Sequence, residues 1–159
     1  MNTALKKAQY FYDQALRFMR CTERCMGTEN HDGSIQIIGG KYSTLSIPTM
    51  VNAAFSCEVF FKAILNLFCV DYKKGHGLKY LYDLLPSEEY KEYLKISPSS
   101  GKTFEEELEG HSQDFVNWRY YMETPGEYQM SPMFTFLLMN NLQSLSKALI
   151  DQHLTQDIV

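Results

Sequence analysis

The stretch Pro48-Thr49-Met50-Val51-Asn52-Ala53-Ala54-Phe55-Ser56-Cys57-Glu58-Val59-Phe60-Phe61-Lys62-Ala63-Ile64-Leu65-Asn66-Leu67-Phe68-Cys69-Val70 decides the fold class. Its apolar residues fall on nearly every side of a 3.6-residue period, the pattern of a helix buried at the centre of a fold. Ser46-Ile47-Pro48 opens it, with the proline where its missing N–H costs nothing. Glu58 and Lys62 are its main charges, one turn apart in the favourable order. Buried charges are expensive unless paired, so the two mark either a surface stripe, an internal ion pair or a site-forming pair. The uninterrupted apolar part, about Val59 to Val70 and broken by Lys62 and Asn66, is too short to span a bilayer.

Helical periodicity continues on both sides. Leu5, Ala8, Tyr12, Ala15, Leu16 and Met19 set one face of a helix from about Thr3 to Met26, and Gly27 stops it. Residues 27–46 hold Gly27, Gly33, Gly39 and Gly40 among turn formers, and read as a long glycine-rich loop in which 34–38 alternate weakly enough for a short hairpin. Downstream, Leu78 to Leu85 forms a short amphipathic helix stopped by Pro86, and Ser87 caps another through about Leu94. Thr103-Phe104-Glu105-Glu106 is a capping box opening one helix that carries Phe104, Leu108, His111, Phe115, Trp118 and Met122 to Pro125-Gly126. Ser131-Pro132 begins the last helix, with Phe134, Leu137, Leu138, Leu142, Leu145 and Leu149 in its expected core stripe. The expectation is one all-α domain over residues 1–159, a four- to five-helix up-and-down bundle.

At 159 residues, 45% apolar and 14% aromatic, the chain can bury a core. A net charge of −4 and a pI near 5.5 argue against general, charge-driven DNA or RNA binding, although a local basic face is compatible with them. Three of the four arginines (Arg17, Arg20, Arg24) lie in the first helix. Cys21 and Cys25 have no second ligand pair at metal-site spacing, and Cys57 and Cys69 sit in the apolar helix, so no metal and no other cofactor is expected. No signal-peptide block opens the chain, and a cytoplasmic, non-membrane protein is expected. There is no nucleophile elbow, His-Glu-x-x-His, phosphate loop or Rossmann fingerprint.

Three segments carry a family resemblance. Ala53 to Leu65, with Glu58 and Lys62, resembles the second helix of HEPN domains. Gly75-His76-Gly77-Leu78-Lys79-Tyr80-Leu81 resembles the Gly-His-x-Leu segment that follows it there, and Phe115-Val116-Asn117-Trp118-Arg119-Tyr120-Tyr121-Met122-Glu123 is similar to the aromatic-Arg-Tyr segment of the third helix. They occur in the family's order and cover roughly residues 48–150. The resemblance implies a HEPN-like bundle that homodimerises. It also implies a defence, phage-defence or toxin–antitoxin setting, with RNA or a partner protein (an antitoxin or effector) as its contact. Many such proteins are metal-independent ribonucleases whose arginine is followed by a histidine after four to six residues. Here those positions are Thr124, Pro125 and Gly126, so the usual histidine is missing.

The resemblance therefore marks Arg119 as the central site residue, with His111 or His76 assisting. His111 reads equally as a satisfied core histidine on an apolar seam, and His76 as an exposed turn residue. Glu58, Lys62, His76, Trp118, Tyr120 and Glu123 complete the candidate set, Arg119 and Glu123 being one turn apart as either a site or a plain intrahelical pair. Two functions follow, an RNA-directed HEPN-like protein and a catalytically silent dimeric module that binds or regulates a partner protein.

Overall fold

A computed structural model describes residues 3–29, 35–37, 46–73, 75–98, 100–119 and 132–156. Among these residues the fold is an all-α bundle of three long helices, α1 (Thr3–Met26), α2 (Ser46–Leu67) and α7 (Pro132–Gln156), and four short ones. The short helices are α3 (Leu78–Asp83), α4 (Glu88–Leu94), α5 (Phe104–Gly110) and α6 (Asp114–Arg119). Part of the glycine-rich stretch is not loop: β1 (Gly27–Glu29) and β2 (Ile35–Ile37) pair antiparallel, Gly27 opposite Ile37.

Antiparallel packing of α1 on α2 is fixed by Tyr12 beside Phe60, Phe18 beside Phe55, and the buried Ser56 hydroxyl donating to the Ala15 carbonyl. Helix α7 runs alongside α2 in the same sense, with Cys57 opposite Thr135 and Phe68 against His153. The α5–α6 rod runs the other way, since Ser112 meets the start of α3 and Phe115 stacks on Phe55. Phe60, Phe61, Leu65, Leu138 and Leu142 are fully buried in one core cluster to which every long helix contributes.

Helix α2 is long and apolar enough to cross a membrane over Ile47–Leu67, contrary to the expectation from its uninterrupted apolar part. Its surroundings decide otherwise: 83% of its most apolar window is buried inside the bundle, as a central core helix should be. The helix ends at Leu67 instead of near Val70. Cys69 adopts a left-handed φ of 55°, its N–H donates to Asn66 and that of Val70 to Leu65, closing the helix in a Schellman-type stop without the usual glycine.

The helix expected from Thr103 through residue 124 is broken at His111–Gln113. The break has a tertiary cause. Gly77 precedes α3 but has no side chain to cap it, so the N–H groups of Leu78 and Lys79 donate instead to the carbonyl (3.0 Å) and hydroxyl (3.2 Å) of Ser112. A continuous helix would commit the Ser112 carbonyl to its own ladder.

The predicted caps form. Ser87 accepts from the Glu89 amide, and Thr103 and Glu106 make a reciprocal capping box. The Thr103 amide, and then its hydroxyl, hold the Glu106 carboxyl below its ordinary range. Because the folded value is depressed, this contribution is complete above the ordinary carboxylate range and is lost as pH falls through the lowered value. Thr103→Ala is expected to cost about 1 kcal/mol near neutral pH and less in acid, measured by urea unfolding at the two pH values. An equal loss at both would contradict the capping-box account.

Candidate functional site

Glu58 sits mid-way along α2 and is 1% exposed. Its Oε1 accepts from Lys62 Nζ at 2.6 Å, one turn on, and lies 2.8 Å from His76 Nδ1 in the turn before α3. The internal ion pair, among the alternatives open from sequence, is the arrangement found. Lys62 is also buried, with its ammonium 5.5 Å from the centroid of the Tyr72 ring. Asn66 donates to both the Lys62 carbonyl and the Tyr72 hydroxyl, which ties the segment after α2 to the same cluster.

His76 is an exposed turn residue only in part. Its side chain is 55% exposed, yet one ring nitrogen is held by a buried carboxylate. With Glu58 ionised, Nδ1 carries the proton and donates, leaving Nε2 as the acceptor. A carboxylate that fixes the tautomer and orientation of a solvent-facing imidazole makes a general acid or base available at one defined nitrogen. Among the described residues, Glu58 Oε2 is buried without a hydrogen-bond partner.

The glycines around His76 leave room for close side-chain neighbours. A Cβ on Gly77 would lie 2.9 Å from Ser112 Oγ, and one on Gly75 would lie 2.2 Å from the Tyr80 ring. His76 borders a groove of about 480 Å³, also lined by Lys79, Tyr80, Asp83, Glu109 and Gln113. Lys79 is engaged by Asp83 at 2.6 Å, so the groove carries no excess of positive charge.

His111 belongs to a different, internal cluster. It is 3% exposed and stacks on Phe134, its Nδ1 lies 2.6 Å from Asp114 Oδ2, and its Nε2 lies 3.7 Å from Glu107 Oε1. Glu107 Oε2 accepts from Ser100 at 3.1 Å. This is the geometry of a satisfied core histidine, with both ring nitrogens facing buried carboxylates and no path to a dissolved substrate. Glu107 and Asp114 escaped the reading of the sequence, although the spacing Glu107, His111, Asp114 places all three on one helical seam.

Arg119 is the last residue of α6, and α6 is held on α2 by the stack of Phe115 on Phe55, with ring centroids 4.5 Å apart. The side chains of Trp118 and Arg119, and all of Tyr120 and Glu123, lie outside the described residues. All four cysteines are free; Cys57 is fully buried, and burial, with Asp114 nearby, raises its thiol far above the ordinary range. It is a packing residue.

Fold and geometry thus define an all-helical bundle with a carboxylate-oriented histidine at the edge of a shallow groove. No family model, curated protein or solved structure matches the chain.

Proposed function

We propose that this chain is a HEPN-like, cytoplasmic, homodimeric protein of a prokaryotic defence or toxin–antitoxin system that binds or acts on RNA. One observation carries the reading. Glu58 and Lys62 from one HEPN-like segment, and His76 from the next, meet in a single hydrogen-bonded cluster. The third such segment is held against the same helix by Phe115 on Phe55. Lys62 and His76, from two such segments, share one oxygen of Glu58, which supports reading the segments as one site.

The chemistry fits an RNA phosphodiester, which carries its own nucleophile in the 2′-OH. The accessible Nε2 of His76 would take or return a proton, and the Arg119 guanidinium would stabilise charge on the phosphorane. Of the two assisting histidines, burial disfavours His111 and exposure favours His76. The test is cleavage of a mixed cellular RNA by wild type, His76→Ala and Arg119→Ala. Each variant is expected to lose about 100-fold or more in rate. Intact RNA at large protein excess would reject the catalytic form.

A second reading, the catalytically silent dimeric module for a partner protein, is favoured by the groove itself. Asp83 and Glu109 beside His76 oppose a phosphate that only Lys79 would attract. Light scattering that returns a dimer with no RNA cleavage would select it.

A further inference from the structure

The chain is acidic overall, yet its charge is unevenly distributed. Helix α1 carries Lys6, Lys7, Arg17, Arg20 and Arg24 against only Asp13 and Glu23. The buried positions Leu5, Ala8, Tyr12, Ala15 and Thr22 pin one face to the core, so the orientation of the opposite face is set. Lys6, Tyr10, Asp13, Arg17, Arg20 and Arg24 succeed one another at spacings of three and four. They form one exposed stripe about 27 Å long, at 1.5 Å rise per residue. Tyr10 is 62% exposed within it, edge-on to Phe11.

We propose that this face of α1 is a docking surface for the phosphate backbone of a single-stranded nucleic acid, RNA in the reading above, on which it rests for the identity of the strand. Charge complementarity selects a polyanion. The choice of arginine over lysine at 17, 20 and 24 suits bidentate phosphate contact, and an exposed tyrosine in line with them offers a ring on which a base can stack. An acidic polypeptide would use the charges but not the ring. Arg20 already pairs with Glu23 at 2.6 Å on the surface, an exchangeable contact of small worth. The surface also supplies what the groove beside His76 lacks: attraction for a phosphate chain, placed on another element so that holding and chemistry are separate.

The experiment measures fluorescence anisotropy of a labelled 2′-O-methyl oligouridylate of about 16 nucleotides, which keeps the backbone charge but offers no 2′-OH to attack. Affinity is followed from low to high salt. Arg17→Ala/Arg24→Ala is compared with Lys91→Ala/Lys95→Ala, which removes the same charge from the α4 side, with matching circular dichroism and melting confirming the fold of each. The α1 pair is expected to lower the slope of log K against log salt by about 1.4, two single-strand phosphate contacts, while the α4 pair leaves it unchanged. Tyr10→Ala should weaken binding about tenfold at unchanged slope.

Equal slopes for the two double variants, or binding of polyglutamate with the same dependence on Arg17 and Arg24, would overturn the docking surface. So would a wild type that does not bind the probe at low salt. None of these touches the cleavage assay on unmodified RNA, whose failure would instead count against the RNA reading.

Discussion

Glu58→Leu is expected to destabilise the protein by about 3–5 kcal/mol, because it leaves the Lys62 ammonium buried without its carboxylate. The Lys62 side chain is 10% exposed and that of Glu58 1%, so water cannot replace the lost partner. The ring of Tyr72 compensates only in part. Lys62→Met in the same background should restore most of the loss, since an apolar pair of similar volume carries no desolvation penalty. The readout is the urea midpoint at constant slope. A single variant that loses under about 1 kcal/mol, or a double that recovers nothing, would show that the pair is not electrostatically isolated. The double variant also separates stability from chemistry. On the proposed RNA reading, His76 has lost its Glu58 anchor in it, so any cleavage by the wild type should not return with the fold.

The second large effect is expected at His111. His111→Phe keeps a ring against Phe134 but removes both nitrogens, so Asp114 and Glu107, 4% and 3% exposed, face an apolar edge. Glu107 retains Ser100, whereas Asp114 loses the 2.6 Å contact that anchors the first residue of α6. A loss of about 3–5 kcal/mol is expected from the stranded buried charge. Trp118, the only tryptophan, lies in α6, so its fluorescence in urea follows this helix directly. An unchanged midpoint would mean that the two carboxylates find other partners. The stack of Phe115 on Phe55 ties the same helix to α2, so loosening α6 should loosen that contact too.

Legibility from the sequence tracks the range of the interactions. The bounds of α1 follow from its periodicity and Gly27. The starts of α4 and α5 follow from Ser87 and Thr103, whose bonds reach only two or three residues. Where the expectation missed, either no residue type signalled the local turn or a distant partner had intervened. Nothing local says that Cys69 will take a left-handed conformation, which ends α2 early. Nothing near His111 says that Ser112 will leave its helix to cap α3, more than thirty residues earlier. Glu58 and Lys62 were visible as a pair because they are one turn apart, but the third member, His76, lies across a turn.

By itself, then, the sequence of this protein determined that it would be helical, where most helices begin and which faces turn inward. These are properties of 3.6-residue periodicity and of hydrogen bonds that close within a turn. Only the tertiary structure decided that the helix expected from Thr103 is two short ones, that Glu58 is shared between Lys62 and His76, and that His111 faces inward while His76 faces out. A buried carboxylate recruits whichever donor the packing brings to it, and that choice depends on backbone directions set by the whole bundle.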